Sequence, residues 1–148
     1  MTDQDEGTAS VIKILRRALV EGMYAHAREA SPAECCGLLG GRGGRAECVY
    51  RMRNVAGDAT VTYEAAPEDL FAAQRRMRER GEELLGIYHS HPRSADPVPS
   101  PTDVKLAFYP SAVYFIIGFD RGEPVLRAFR ILEREGRWER VGFDLSDD

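Results

Sequence analysis

The sequence predicts a mixed α/β (α+β) domain, a single mixed β-sheet flanked by helices. Two segments place apolar residues at helical spacing, and they are separated by short apolar or alternating stretches of strand type. Glycine, proline and serine clusters punctuate the joints. With 148 residues, 43% hydrophobic and 30% charged, the chain has the size and balance of one globular domain with its own core.

In chain order, Val11, Ile12, Ile14, Leu15, Ala18, Leu19, Gly22, Met23 and Ala27 form the stripe of an amphipathic first helix. Ser10 is its expected N-cap and Ser31-Pro32 its stop. Residues 36–41 read as a short buried strand, and Gly40 to Gly44 as a turn. Residues 45–53 alternate apolar and charged side chains, a half-buried strand. Val61-Thr62-Tyr63 is expected to be extended. The second helix opens at Pro67 with Glu68 and Asp69 in its first turn and closes with arginines before Gly81. Leu84 to His91 reads as a buried strand, Pro92 to Pro101 as a loop, and a short helix starts near Pro101. Strands follow near 112–119, 124–132 and 137–145. Residues 1–9 and 144–148 are expected to be acidic, frayed tails around a domain at 10–143.

Composition excludes several functions. Twenty basic and 24 acidic residues give a net charge of −4, unlike a polybasic nucleic-acid binder. No apolar run approaches a ~20-residue membrane span. The acidic N-terminus lacks the pattern of a signal peptide, and three cysteines make no disulfide framework, so a cytoplasmic location is expected. Cys35, Cys36 and Cys48 read as core residues rather than zinc ligands, and His26 as structural. The arginines of the second helix read as a solvated face.

The stretch richest in chemistry runs from Gly86-Ile-Tyr-His89-Ser90-His91-Pro92 to Ser100-Pro-Thr-Asp103. Side chains at i and i+2 on a strand share a face, so His89 and His91 present two imidazoles together. Two imidazoles and a carboxylate make a catalytic zinc set, which Asp103 completes if the loop folds back. Ser100 and Asp103 are also a good helix N-cap and N3 pair.

Glu34, His89-Ser-His91-Pro and Ser100-x-x-Asp103, with Pro32-Ala-Glu34-Cys-Cys-Gly37-Leu-Leu-Gly40, resemble the signature of the JAMM (MPN-plus, Mov34-type) zinc metalloproteases. The small single-domain bacterial members are the most similar. The resemblance implies the MPN fold, similar to the cytidine-deaminase architecture, although no zinc-deaminase cysteine pair is present. It implies zinc held by His89, His91 and Asp103 with a water completing the set. It implies Glu34 as general base and Ser100 as a donor to the oxyanion. The loop between His91 and Ser100 is one residue longer than the family spacing. Asp96, the other carboxylate in that loop, reads as a poor competitor for the metal.

The resemblance further implies hydrolysis of an amide or isopeptide bond after the C-terminal Gly-Gly of a ubiquitin-like, sulfur-carrier protein. Two alternatives stay open, a metallopeptidase for small peptides and a non-catalytic MPN interaction module. Neither nucleic acid nor membrane is an expected partner, and the oligomeric state is left open. The Pro92–Pro99 loop and the Val61–Tyr63 segment are the expected walls of the substrate channel.

Overall fold

The strand-type stretches pair into one six-stranded sheet. The structure is a computed structural model that describes Ile12 and residues 15–147. In chain order the elements are β1 (Leu15–Arg16), α1 (Arg17–Ala30), β2 (Cys36–Arg42), β3 (Arg45–Met52) and α2 (Pro67–Arg80). Then come β4 (Glu83–Ser90), α3 (Pro101–Lys105), β5 (Val113–Asp120), β6 (Glu123–Leu132), β7 (Arg137–Val141) and β8 (Leu145–Ser146). The order across the main sheet is β3-β2-β4-β5-β6-β7. β4 and β5 run parallel, and the segment with α3 joins them; the other neighbours are antiparallel.

Alternation along the strands divides the core into two faces. Val20, Met23 and Ala27 of α1 pack with Leu39, Tyr88, Phe115 and Ile117 on one face. Ala73 and Met77 of α2 pack with Leu38, Ile87, Ile116 and Phe129 on the other. Periodicity therefore located both helices, and the stretch read as a buried strand from Leu84 is β4, inside the sheet between β2 and β5. Gly43 and Gly44, both at positive φ, turn the β2–β3 hairpin as the glycine cluster predicts. The arginines at 75, 76, 78 and 80 on α2 are exposed, the solvated face expected of them. No helix among the described residues is long and apolar enough to cross a membrane.

Several local expectations need correction. The first helix starts at Arg17, because Leu15 and Arg16 pair in parallel with Leu145 and Ser146. The expected cap Ser10 and the 1–9 tail lie outside the described residues. At the other end, the segment expected to fray holds that pairing strand, and Asp147 forms an ion pair with Arg17 at 2.6 Å. Val61 belongs to a turn, and the short segment 54–65 is tied by an isolated bridge between Asn54 and Ala65 rather than by a strand. Cys35 and Cys36 are buried as expected, but Cys48 is half-buried and its thiol contacts Glu82. His26 is structural, its Nδ1 standing 2.7 Å from the Tyr88 hydroxyl.

Candidate metal centre

β4 ends with Ser90, and the chain continues through His91 into a loop that returns to the same spot at α3. His89 is fully buried, on the face covered by α2 and α3, since it shares strand parity with Ile87. His91 keeps strand-like pairing just past β4, its N–H donating to Ile117 O at 2.9 Å. Pro101 at the first position and a reciprocal capping box start α3: Ser100 Oγ accepts from Asp103 N at 3.0 Å and Asp103 Oδ2 accepts from Ser100 N at 2.9 Å. That cap aims the Asp103 carboxylate back at β4.

The result is a tight triangle. His89 Nε2, His91 Nε2 and Asp103 Oδ2 stand 3.1 Å from one another along every edge. Donor atoms around a tetrahedral ion with bonds of ~2.0 Å lie about 3.3 Å apart, so two nitrogens and one oxygen already stand near the spacing that zinc requires. Burial lowers the pKa of His89 and keeps its imidazole neutral, the form that ligates. Burial works against ionisation of Asp103, yet its hydrogen bonds to His89 and His91 outweigh that and hold the carboxyl far below the usual range.

Glu34 lies two residues before β2, and its ligand atom falls within 4.8 Å of those of His89 and His91. It is only 6% exposed, and its Oε1 is buried without a hydrogen-bond partner among the described residues. Desolvation pushes its pKa up to about 7, with His91 opposing and Asp103 reinforcing the rise. A carboxylate in that environment is poised to exchange a proton near neutral pH. All five residues singled out in the sequence, Glu34, His89, His91, Ser100 and Asp103, therefore meet at the carboxyl end of β4.

Two further side chains build the centre without having been singled out for it. Ser90 Oγ accepts from Cys35 N at 2.9 Å, fastening the residue after Glu34 to the end of β4. Its signal was its position between the histidines, where strand alternation turns it to the opposite face. Tyr63 stacks on His89, with ring centroids 4.6 Å apart. No local pattern announces that contact. Asp96 sits outside the centre, paired with Arg127 at 3.1 Å and Arg140 at 3.7 Å.

A cavity of about 490 Å³ adjoins Asp103 and Tyr63. Its walls are Ala56, Gly57 and Thr62–Ala65 on one side and Thr102, Leu106, Phe108 and Tyr109 on the other, over a floor of Leu38, Met52, Ile87 and Tyr114. The Val61–Tyr63 side matches the expected channel wall in part. The Pro92–Pro99 loop does not line this cavity: Pro97 is buried and Ser94 O accepts from Phe119 N at 2.8 Å, so the loop is folded against β5.

Residues 16–132 match the family model for prokaryotic homologs of the JAB domain. The chain belongs to that prokaryotic JAB family. Among its relatives, the CysO-cysteine peptidase of Mycobacterium tuberculosis is 37% identical over 131 residues, covering 86% of this chain and 88% of the relative. The desampylase of Haloferax volcanii is 38% identical over 106 residues, covering 68% of this chain and 76% of that protein. The solution structure of protein DSY2949 from Desulfitobacterium hafniense superposes with a TM-score of 0.78 at 35% identity, covering 91% of this chain and 93% of that one. JAB-family membership agrees with the JAMM resemblance of the motif residues, and the mixed sheet with helices on both faces is the architecture it implied.

Proposed function

We propose that this JAB-family chain is a zinc-dependent hydrolase that cleaves the amide or isopeptide bond after the C-terminal Gly-Gly of a ubiquitin-like sulfur-carrier protein. The observation that carries the reading is the 3.1 Å triangle of His89, His91 and Asp103 with the buried Glu34 beside it, whose Oε1 has no hydrogen-bond partner among the described residues. The names of its relatives, a CysO-cysteine peptidase and a desampylase, support the peptidase class and the carrier substrate.

In this reading His89, His91 and Asp103 hold the zinc, and Glu34, standing outside their triangle, serves as general base. Zinc so held supplies Lewis acidity and brings the pKa of water towards ~7. Glu34 takes a proton from the attacking water and passes it to the departing amine. Burial of its carboxyl, which raises its pKa in the metal-free chain, favours its taking up that proton. Ser100 keeps its hydroxyl hydrogen while accepting from Asp103 N, so it donates to the carbonyl oxygen as that oxygen gains charge.

The apolar cavity takes the extended tail of the carrier. Its continuity with Asp103 brings the tail's end to the zinc ligands, while Glu34 lines a separate pocket, which leaves that side for the departing amine. Glycine beside the scissile bond lets the main chain approach closely because it carries no Cβ. The free cysteines accord with a reducing, cytoplasmic setting. The test is cleavage of a carrier conjugate by zinc-loaded protein, with native and Glu34→Gln chains compared. A Glu34→Gln chain that cleaves at the native rate removes Glu34 from the mechanism.

A further inference from the structure

We propose that Asn54 is a positioning residue, whose side-chain amide holds the catalytic Glu34 and the adjoining 54–65 segment in working register. The proposal rests on the reading of Glu34 as general base. Asn54 stands two residues after β3, and its side chain uses both ends of the amide. Nδ2 donates to Glu34 O at 2.9 Å, to Thr62 O at 3.1 Å and, at the longer distance of 3.4 Å, to Ala59 O. Oδ1 accepts from Ala56 N and from Glu64 N, each at 3.0 Å.

The second half of the clamp is main chain. Glu34 N donates to Ala59 O at 2.8 Å, so both backbone polar groups of Glu34 are satisfied by the segment that Asn54 organises. This matters because Glu34 precedes β2 and has no place in its ladder. On the other side, Ser90 fixes Cys35. Glu34 is thus fixed at its own backbone by the Asn54 segment and at the next residue by the end of β4. The segment also carries Tyr63, which stacks on His89, and it forms one wall of the apolar cavity.

The chemistry selects asparagine. The site needs donors toward three carbonyl oxygens and an acceptor toward two amides, on a side chain with a single methylene. Aspartate keeps the acceptor side but turns a carboxylate toward carbonyl oxygens. Alanine keeps neither. An error of a fraction of an ångström in the base is enough to slow proton transfer without disturbing the metal ligands, which hang on β4 and α3.

The experiment compares Asn54→Ala and Asn54→Asp in the native chain and in a Glu34→Gln background, with zinc content, kcat and amide exchange measured. Both variants are expected to fold, to keep one zinc per chain, and to lose about ten-fold or more in kcat. In the Glu34→Gln background, at saturating zinc and substrate, the same substitutions are expected to change the residual rate by less than about two-fold, because residues that act as a unit are not additive. In the Asn54→Asp chain, exchange of the Glu34 amide should accelerate while the Ala56 and Glu64 amides stay protected. Native kcat in both variants, or an equal loss in the two backgrounds, overturns the proposal. So does failure of both variants to fold, which makes Asn54 a stability residue. A Glu34→Gln chain with native activity sinks the general-base reading itself, and the proposal with it.

Discussion

The Tyr63 ring lies over the imidazole of His89, 4.6 Å from centroid to centroid with 29° between the planes. His89 Nδ1 is buried without a hydrogen-bond partner among the described residues, so this stack helps to orient the ring together with the contacts of Nε2 to Asp103 and His91. Partners that orient a metal-ligating histidine commonly contribute 10–100-fold to metal affinity. Tyr63→Ala is therefore expected to weaken zinc binding by about ten-fold or more, and Tyr63→Phe to leave it near native. Competition titration against a chelator reads the difference. Native affinity in Tyr63→Ala means that the stack is packing alone.

Glu34→Gln should keep its zinc and lose about 10²–10⁴-fold in rate, since the amide cannot accept the proton. The same substitution has a stability signature in metal-free protein. The folded-state pKa of Glu34 stands at about 7, above its ordinary value of 4.5, so the folded chain binds more protons than the unfolded chain between those values. The ionised carboxylate therefore destabilises the fold progressively as pH rises through this window, and fully above it. The Tm of Glu34→Gln relative to native should accordingly increase from pH 4.5 to pH 7.5 and then level off. A flat difference across that range contradicts the burial of an unpartnered charge.

The long loop between His91 and Ser100 depends on Gly118. A Cβ there would collide with Ser94 O and press on Pro97, the buried residue of the loop. Gly118→Ala is expected to cost about 1–3 kcal/mol of stability by overpacking. Asp96→Ala removes exposed ion pairs to Arg127 and Arg140 and should change stability by less than about 1 kcal/mol. Denaturant unfolding of the metal-free variants measures both, and equal effects would show that packing against β5 is not what holds the loop.

Leu106 and Phe108 line the cavity beside Asp103 and are 51% and 67% exposed. Placing aspartate at either position should raise KM for a carrier conjugate by about ten-fold, because one lost apolar contact in a pocket is worth ~1–3 kcal/mol. Zinc content and kcat should stay near native. A change in kcat alone would place the carrier tail elsewhere.

Much of this site was legible because its parts obey local rules. Strand parity aligns His89 with His91, and the capping pattern of Ser100 and Asp103 is written in four consecutive residues. Non-local contacts were not legible. Helical spacing from Val11 to Leu15 gives no hint that Leu15 is drawn into a strand by Leu145, at the far end of the chain. The stretch after His91 reads only as a loop, yet Pro97 and Gly118 bring it onto β5. Asn54 occupies a polar turn like many others, and its importance lies in carbonyl groups that only the folded chain brings within reach.

The most direct measurement is the mass of the products released from a ubiquitin-like carrier conjugated through its C-terminal Gly-Gly, with native, zinc-stripped and zinc-restored protein. The expected result is a free carrier ending in Gly-Gly, abolished by chelation, restored by zinc and absent with a His89→Ala, His91→Ala double variant. Cleavage that survives chelation and the double variant, or an intact conjugate after incubation with zinc-loaded native protein, would contradict it.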